Sequence, residues 1–277
     1  MKKAVLSLCA LLLLIFGCQS NPVIPESTQI VLQAYLYEGQ PINAITVMLS
    51  NPLSSPDTVN TPVSNATVFL IKNGTQYQLT PSPQNAGNYY YSGTDLQVQS
   101  GDQFEIEVTY NGTTATAVTV VPGKPLGLSL NTSTVIFAED TVTTRFGGGT
   151  FARLTTSDSV IISWNNPSQL PYYVVVESND STRQPLTSDS LGNFNFARRF
   201  VAEPTTNNYY RVPQTDFNYT GKYEITLYRV NQEYVNLYAS RQQDSRSLNE
   251  PLTNVNNGLG IFTAFASDST FVNVELN

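Results

Sequence analysis

Phe104-Glu105-Ile106-Glu107-Val108-Thr109-Tyr110-Asn111-Gly112 decides the fold class. Phe104, Ile106, Val108 and Tyr110 alternate strictly with Glu105, Glu107 and Thr109, the period of a strand that buries one face. Asn111-Gly112 then supplies two residues that tolerate the left-handed backbone a two-residue hairpin needs. Residues 115–121 return as a second β-branched run.

Outward from this hairpin the same grammar repeats. Strand-length runs lie at 30–37, 44–49, 67–71 and 76–79, and the last two flank a second Asn-Gly pair, Asn73-Gly74. Pro122-Gly123-Lys124-Pro125 reads as a boundary. Beyond it come runs at 126–130, 160–164, 172–177 and 223–230, rich in β-branched and aromatic residues. Residues 131–158 and 178–220 read as long loops. Only 232–240 carries a helical pattern, with Tyr234, Leu237 and Tyr238 on one side. The expectation is an all-β protein of two tandem β-sandwiches with one short helix near the C-terminus.

Composition agrees and narrows the chemistry. The 277 residues are 40% hydrophobic and only 13% charged, against about a quarter charged in an ordinary soluble domain. Net charge is −7 with no basic cluster beyond Arg198-Arg199, so a polyanion such as nucleic acid is not an expected partner. There is no histidine, which removes Ser-His-Asp and Cys-His nucleophiles. No serine stands three residues before Lys72, Lys124 or Lys222, so a Ser-x-x-Lys dyad is missing there too. Gly147-Gly148-Gly149-Thr150 lacks the Gly-Lys-Ser/Thr of a phosphate loop. With Cys9 and Cys18 the only cysteines, neither a zinc site nor a disulfide in the folded body is expected. No catalytic residue, metal or cofactor is assigned.

The first eighteen residues, MKKAVLSLCALLLLIFGC, place Lys2 and Lys3 before an apolar run too short to cross a bilayer. Ile15-Phe16-Gly17-Cys18 resembles a lipobox, which implies removal of residues 1–17 and acylation of Cys18. Each buried methylene contributes about 0.8 kcal/mol, so several acyl chains make a durable membrane anchor. Residues 18–27 read as a tether. No Asp follows Cys18, so inner-membrane retention is not signalled and the outer membrane is the expected location.

Two local patterns resemble known sandwiches. Pro62 to Val68, Gly87-Asn88-Tyr89 and Gly101-Asp102-Gln103-Phe104 resemble the carboxypeptidase-regulatory or prealbumin-like module, over 28–122. Asp158 to Pro167, bearing Trp164, with Tyr172-Tyr173-Val174-Val175-Val176 and the later run 223–230, is similar to fibronectin type III strands, over 123–277. In that fold Trp164 packs between the sheets. The tail Asn254-Val255-Asn256-Asn257-Gly258-Leu259-Gly260-Ile261-Phe262, with the lipobox and both sandwiches, resembles the Bacteroidota lipoprotein family called domain of unknown function 4249. The resemblance implies a non-enzymatic accessory of a TonB-dependent, SusC-type outer-membrane receptor, acting in substrate binding or uptake. A stand-alone glycan- or protein-binding adhesin is the alternative. The cell surface is the expected side, with the periplasmic face left open because Gln19-Ser20-Asn21-Pro22 carries no acid.

The adjacent tyrosines Tyr89-Tyr90-Tyr91, Tyr172-Tyr173 and Tyr209-Tyr210 put rings on both faces of their strands. Tyr89, Tyr91, Tyr209 and Tyr210 are the candidate binding residues, able to stack on a sugar or anchor a partner. Gly258 and Gly260 are expected to serve a turn with positive φ.

Overall fold

The computed structural model describes residues 28–51, 60–143, 150–155, 159–186, 198–213, 216–241 and 253–277, with side chains left aside for 139–155 and 241. Residues 1–27, where a signal peptide, the acylated Cys18 and a tether are expected, and Gly147-Gly148-Gly149 lie outside the described residues.

Nine strands form the first half: β1 (Ile30–Tyr37), β2 (Ala44–Leu49), β3 (Thr61–Pro62), β4 (Thr67–Lys72), β5 (Thr75–Gln78), β6 (Thr80–Pro81), β7 (Asn88–Tyr90), β8 (Gln103–Tyr110) and β9 (Thr113–Val120). Both Asn-Gly turns have positive φ at both central residues, 53° and 78° at Asn73-Gly74 and 48° and 79° at Asn111-Gly112. That is the type I′ geometry whose twist matches the strands it joins. One sheet runs β5-β4-β8-β9. Phe104, Ile106 and Val108 are fully buried beneath it, as the alternation required.

The second half holds β10 (Ser129–Leu130), β11 (Thr134–Thr143), β12 (Thr150–Thr155), β13 (Val160–Ser163), β14 (Tyr172–Ser178), β15 (Arg199–Val201), β16 (Tyr209–Val212), β17 (Gly221–Arg229), the helix α1 (Gln232–Arg241) and β18 (Leu259–Leu276). The stretches expected to be loops therefore carry strands: β11 and β12 pair as an antiparallel hairpin within 131–158, and β15 and β16 lie within 178–220. Sheet β10-β13-β16 faces the layer β15-β14-β17-β18, giving a second sandwich. Trp164 is buried between them, tilted against Tyr172 at 5.7 Å between centroids. The Tyr223 hydroxyl donates to the Tyr219 carbonyl at 3.1 Å and accepts from its N–H at 2.9 Å, a tyrosine corner that pins the entry of β17.

The two sandwiches are joined by one strand. The first part of β18 lies parallel to β1, from Val31 opposite Leu259 to Tyr37 opposite Phe265. Without a break β18 then runs antiparallel to β17, from Ala266 opposite Arg229 to Val274 opposite Gly221. The result is an 11-stranded sheet with the path β15-β14-β17-β18-β1-β2-β7-β6, common to both sandwiches. Phe262 and Ala264 enter the first core while Val272 and Val274 enter the second. Residues 253–265, which a division at 122–123 assigns to the second half, thus complete the first sandwich.

The tail motif builds this crossing. The Asn254 side chain accepts from the Phe262 N–H at 3.0 Å and donates to its carbonyl at 2.7 Å. An amide there stands in for a neighbouring strand and satisfies an edge that would otherwise be orphaned. Gly260 has φ +105°, and a Cβ on it would overlap the Leu32 carbonyl oxygen. Gly258 is a correction: its φ is not positive, and what requires glycine is the Ile30 carbonyl oxygen, 2.8 Å from where a Cβ would sit.

Candidate functional site

The structure separates the four tyrosines expected to bind. Tyr89 is corrected: it is 0% exposed, its hydroxyl donating to the Val63 carbonyl at 3.0 Å and accepting from the Ala66 N–H at 2.9 Å. It is a core residue with a satisfied hydroxyl, since the inward side of β7 falls on Tyr89 and not on its neighbours. Tyr91 is half-buried, packs edge-on against Tyr77 at 5.7 Å and donates to Asp95 Oδ1 at 2.6 Å. That bond first, then burial, pushes its phenol up to about 12. Tyr210 leans on the second core and stacks over Phe200 at 6.4 Å. Tyr209 alone of the four is open, at 55%. Tyr91 lies in the first sandwich and the Tyr209-Tyr210 pair in the second, so the four do not form one site.

A tighter aromatic group lies elsewhere, on the outer face of the shared sheet. β1 contributes Tyr35 and Tyr37, β18 Phe265, β17 Tyr228 and β14 Tyr173 with Val175, all pointing away from the two cores. Helix α1 lays Tyr234 and Val235 over them. Rings of Tyr173 and Tyr228 stack at 4.9 Å, Tyr173 and Tyr234 at 5.4 Å, and Tyr37 and Phe265 at 5.1 Å. Tyr173 and Phe265 are buried, whereas Tyr35, Tyr37, Tyr228 and Tyr234 keep part of their surface in solvent. The group therefore draws on both sandwiches, and only the shared strand brings its members together.

The helix is held over this face by polar groups. Asn231 donates to the Val120 carbonyl at 2.8 Å, and its own carbonyl accepts from Tyr234 N–H at 3.1 Å, opening the helix. Glu233 accepts from the Thr119 hydroxyl at 2.9 Å and from Thr263 at 3.4 Å, satisfying two buried hydroxyls from different sheets.

Electrostatics keep these phenols neutral. Burial, then neighbouring Tyr228, pushes Tyr37 up to about 12. Burial likewise raises Tyr173 and Tyr228, with Arg199 opposing it. Arg199 pairs with Glu177 at 3.5 Å on the rim, both about half exposed. Such rings offer π-faces and neutral hydroxyls, suited to stacking on a sugar ring or an apolar side chain. No group of three or more His, Cys, Asp or Glu residues is poised to hold a metal among the described residues.

Sequence reading passed over Tyr35, Tyr37, Tyr228 and Phe265. The signal was present: in β1, Leu32, Ala34 and Leu36 point inward, so Tyr35 and Tyr37 are aromatic at outward positions.

Fold and surface thus define an all-β, two-sandwich protein with a tyrosine-rich outer sheet face. The chain belongs to the family described as Domain of unknown function (DUF4249), whose model matches residues 19–270. Nothing among curated proteins matches it. Among solved structures it is similar to the FN1–FN3 domains of chicken CNTN1, with 9% identity and TM-score 0.28, over 88% of this chain and 67% of that one. A multidomain stretch of titin gives 11% identity and TM-score 0.21, over 89% of this chain and 66% of that one. These likenesses carry nothing about function.

Proposed function

We propose that this protein is a lipid-anchored outer-membrane lipoprotein, non-enzymatic, that serves a TonB-dependent, SusC-type transporter in substrate binding or uptake. The observation that carries the reading is Ile15-Phe16-Gly17-Cys18, which stands directly before the family-matched residues 19–270. Acylation there would tether the two sandwiches at the membrane, the cell surface being the favoured side, in a bacterium of the Bacteroidota type. Within the reading, the first sandwich is carboxypeptidase-regulatory-like and the second fibronectin type III-like, supported by the buried Trp164 and the tyrosine corner at Tyr223. The outer sheet face around Tyr37, Tyr228 and Tyr234 would supply contact area for barrel or substrate, since partly exposed rigid aromatics give large contact at low entropic cost. Open Tyr209 supports the second reading, a stand-alone adhesin.

The test is a mild-detergent pull-down of the tagged protein from native membranes beside Cys18→Ala. Co-purification of a TonB-dependent barrel in stoichiometric amount with the acylated form alone is expected. Recovery of the wild-type protein without any barrel removes the transporter from the account.

A further inference from the structure

A groove opens at the seam between the sandwiches, on walls supplied by both. One wall is the end of β9 and the connection after it, Val120 to Gly123, with the Ser100-Gly101 turn; the other is Leu170-Pro171 and the turn from β17 into α1, Arg229 to Gln232. Its volume is 620 Å³, within the roughly 300–1,000 Å³ of small-molecule sites. The walls are tied across the seam by the Asn231 side chain on the Val120 carbonyl at 2.8 Å. Val230 N–H to Pro171 carbonyl at 3.1 Å and Gly101 N–H to Val121 carbonyl at 2.9 Å fix each wall internally. The groove is preformed.

Its lining selects a ligand. Among the described residues Arg229 is the one charged group on the walls, and its guanidinium makes there a single long bond, 3.4 Å to the Gly123 carbonyl, and no ion pair. A guanidinium offers five N–H donors in a planar fork that matches a carboxylate. The amides beside it are committed, Asn231 to Val120 and Thr119 and the Gln232 amide group to Asn236 at 3.0 Å. A neutral sugar would find few free donors there, and among the described residues no wall carboxylate stands ready to hold a cation. Val120, Leu170 and Pro171 give the walls their apolar surface, with Val121, Pro122 and Val230 buried behind them.

We infer that this seam groove binds a small monoanionic carboxylic acid with an apolar body, its carboxylate held by Arg229. Short peptides with a free C-terminus and free aliphatic acids share that chemistry. The site stands whether or not a transporter is the partner, because it rests on the groove alone.

Titration calorimetry on the full-length protein extracted in mild detergent tests it, with three probes: N-acetyl-leucyl-valine, its C-terminal amide, and hexanoate. The free peptide acid is expected to bind at least about tenfold more tightly than the amide, the size of one lost charge-assisted contact. Arg229→Gln should erase that preference, and Val120→Trp, at a half-exposed wall position, should block all binding without touching the core. Binding of hexanoate as well assigns the site to aliphatic acids in general, and its failure beside a bound peptide acid assigns it to peptide C-termini. Equal binding of acid and amide, an Arg229→Gln protein that still prefers the acid, or no binding of either acid at about 10 mM overturns the inference. Should Arg229→Gln not fold, the acid–amide comparison on the wild type decides alone.

Discussion

Single residues show how far type and spacing specify a role. Tyr89 and Tyr91 stand two apart, yet one is sealed in the core by two backbone hydrogen bonds and the other is half-buried on Asp95. Alternation puts residues two apart on one face, and what separates this pair is that β7 ends at Tyr90, an end that the run of three tyrosines does not mark. Asp216 was invisible for a related reason, because burial of an acid is a tertiary fact. Its Oδ2 is buried with no hydrogen-bond partner among the described residues, and burial pushes its pKa from 3.8 up to about 6. A folded-state pKa above the unfolded one means the unfolded chain ionises first. This residue's contribution to stability is therefore fully favourable below about pH 4 and is lost as pH rises through about 6. Asp216→Asn should leave the urea midpoint unchanged near pH 4 and raise it at pH 7.5. Solvent screening at this part-exposed site holds the gain to about 1 kcal/mol. An equal midpoint at both pH values would remove the penalty from the account.

At the scale of elements, the strands with clean alternation were legible to within a residue or two. Ile30–Tyr37 and Ala44–Leu49 needed nothing but their side-chain pattern and flanking turns. Helix α1 was legible from its register as well, and Tyr234 does face the sheet. β18 was not read as a strand. Its middle, Ser267-Asp268-Ser269, is polar and looks like a turn, but it is where the strand passes from one sandwich to the other and needs no core on either side. β11 escaped for the opposite reason: Val135 and Phe137 point inward while Ile136 is 46% exposed, so no apolar–polar period marks it. The crossing makes a sharp demand on β18. Gly260→Ala would place a methyl against the Leu32 carbonyl at φ +105°, costing on the order of 3 kcal/mol. Thermal unfolding should show that loss, whereas Gly39→Ala, with open space around its Cβ, should lose only the smaller cost of its positive φ. Similar losses at both positions would mean β18 does not press on β1 as described.

For the whole molecule, the central claim is that one strand makes two sandwiches a single body with one continuous outer face. The tyrosine face and the seam groove both depend on it, because each takes residues from both halves. Strand-length runs on either side of Pro122-Gly123-Lys124-Pro125 pointed to two sandwiches; they could not show that residues 259–276 belong to both, since the β1 and β18 partners lie more than two hundred residues apart. A chain so joined should not let one half unfold while the other stands, because losing β18 from one sheet strips an edge and a core layer from both. The most direct measurement uses Trp164, the only tryptophan and a reporter of the second core, against far-UV circular dichroism, which reports both sandwiches, in one urea titration. Coincident transitions with a single midpoint are what the shared strand predicts. A tryptophan transition separated from the dichroism change, with a plateau between them, would contradict it and return the molecule to two independent domains on a linker.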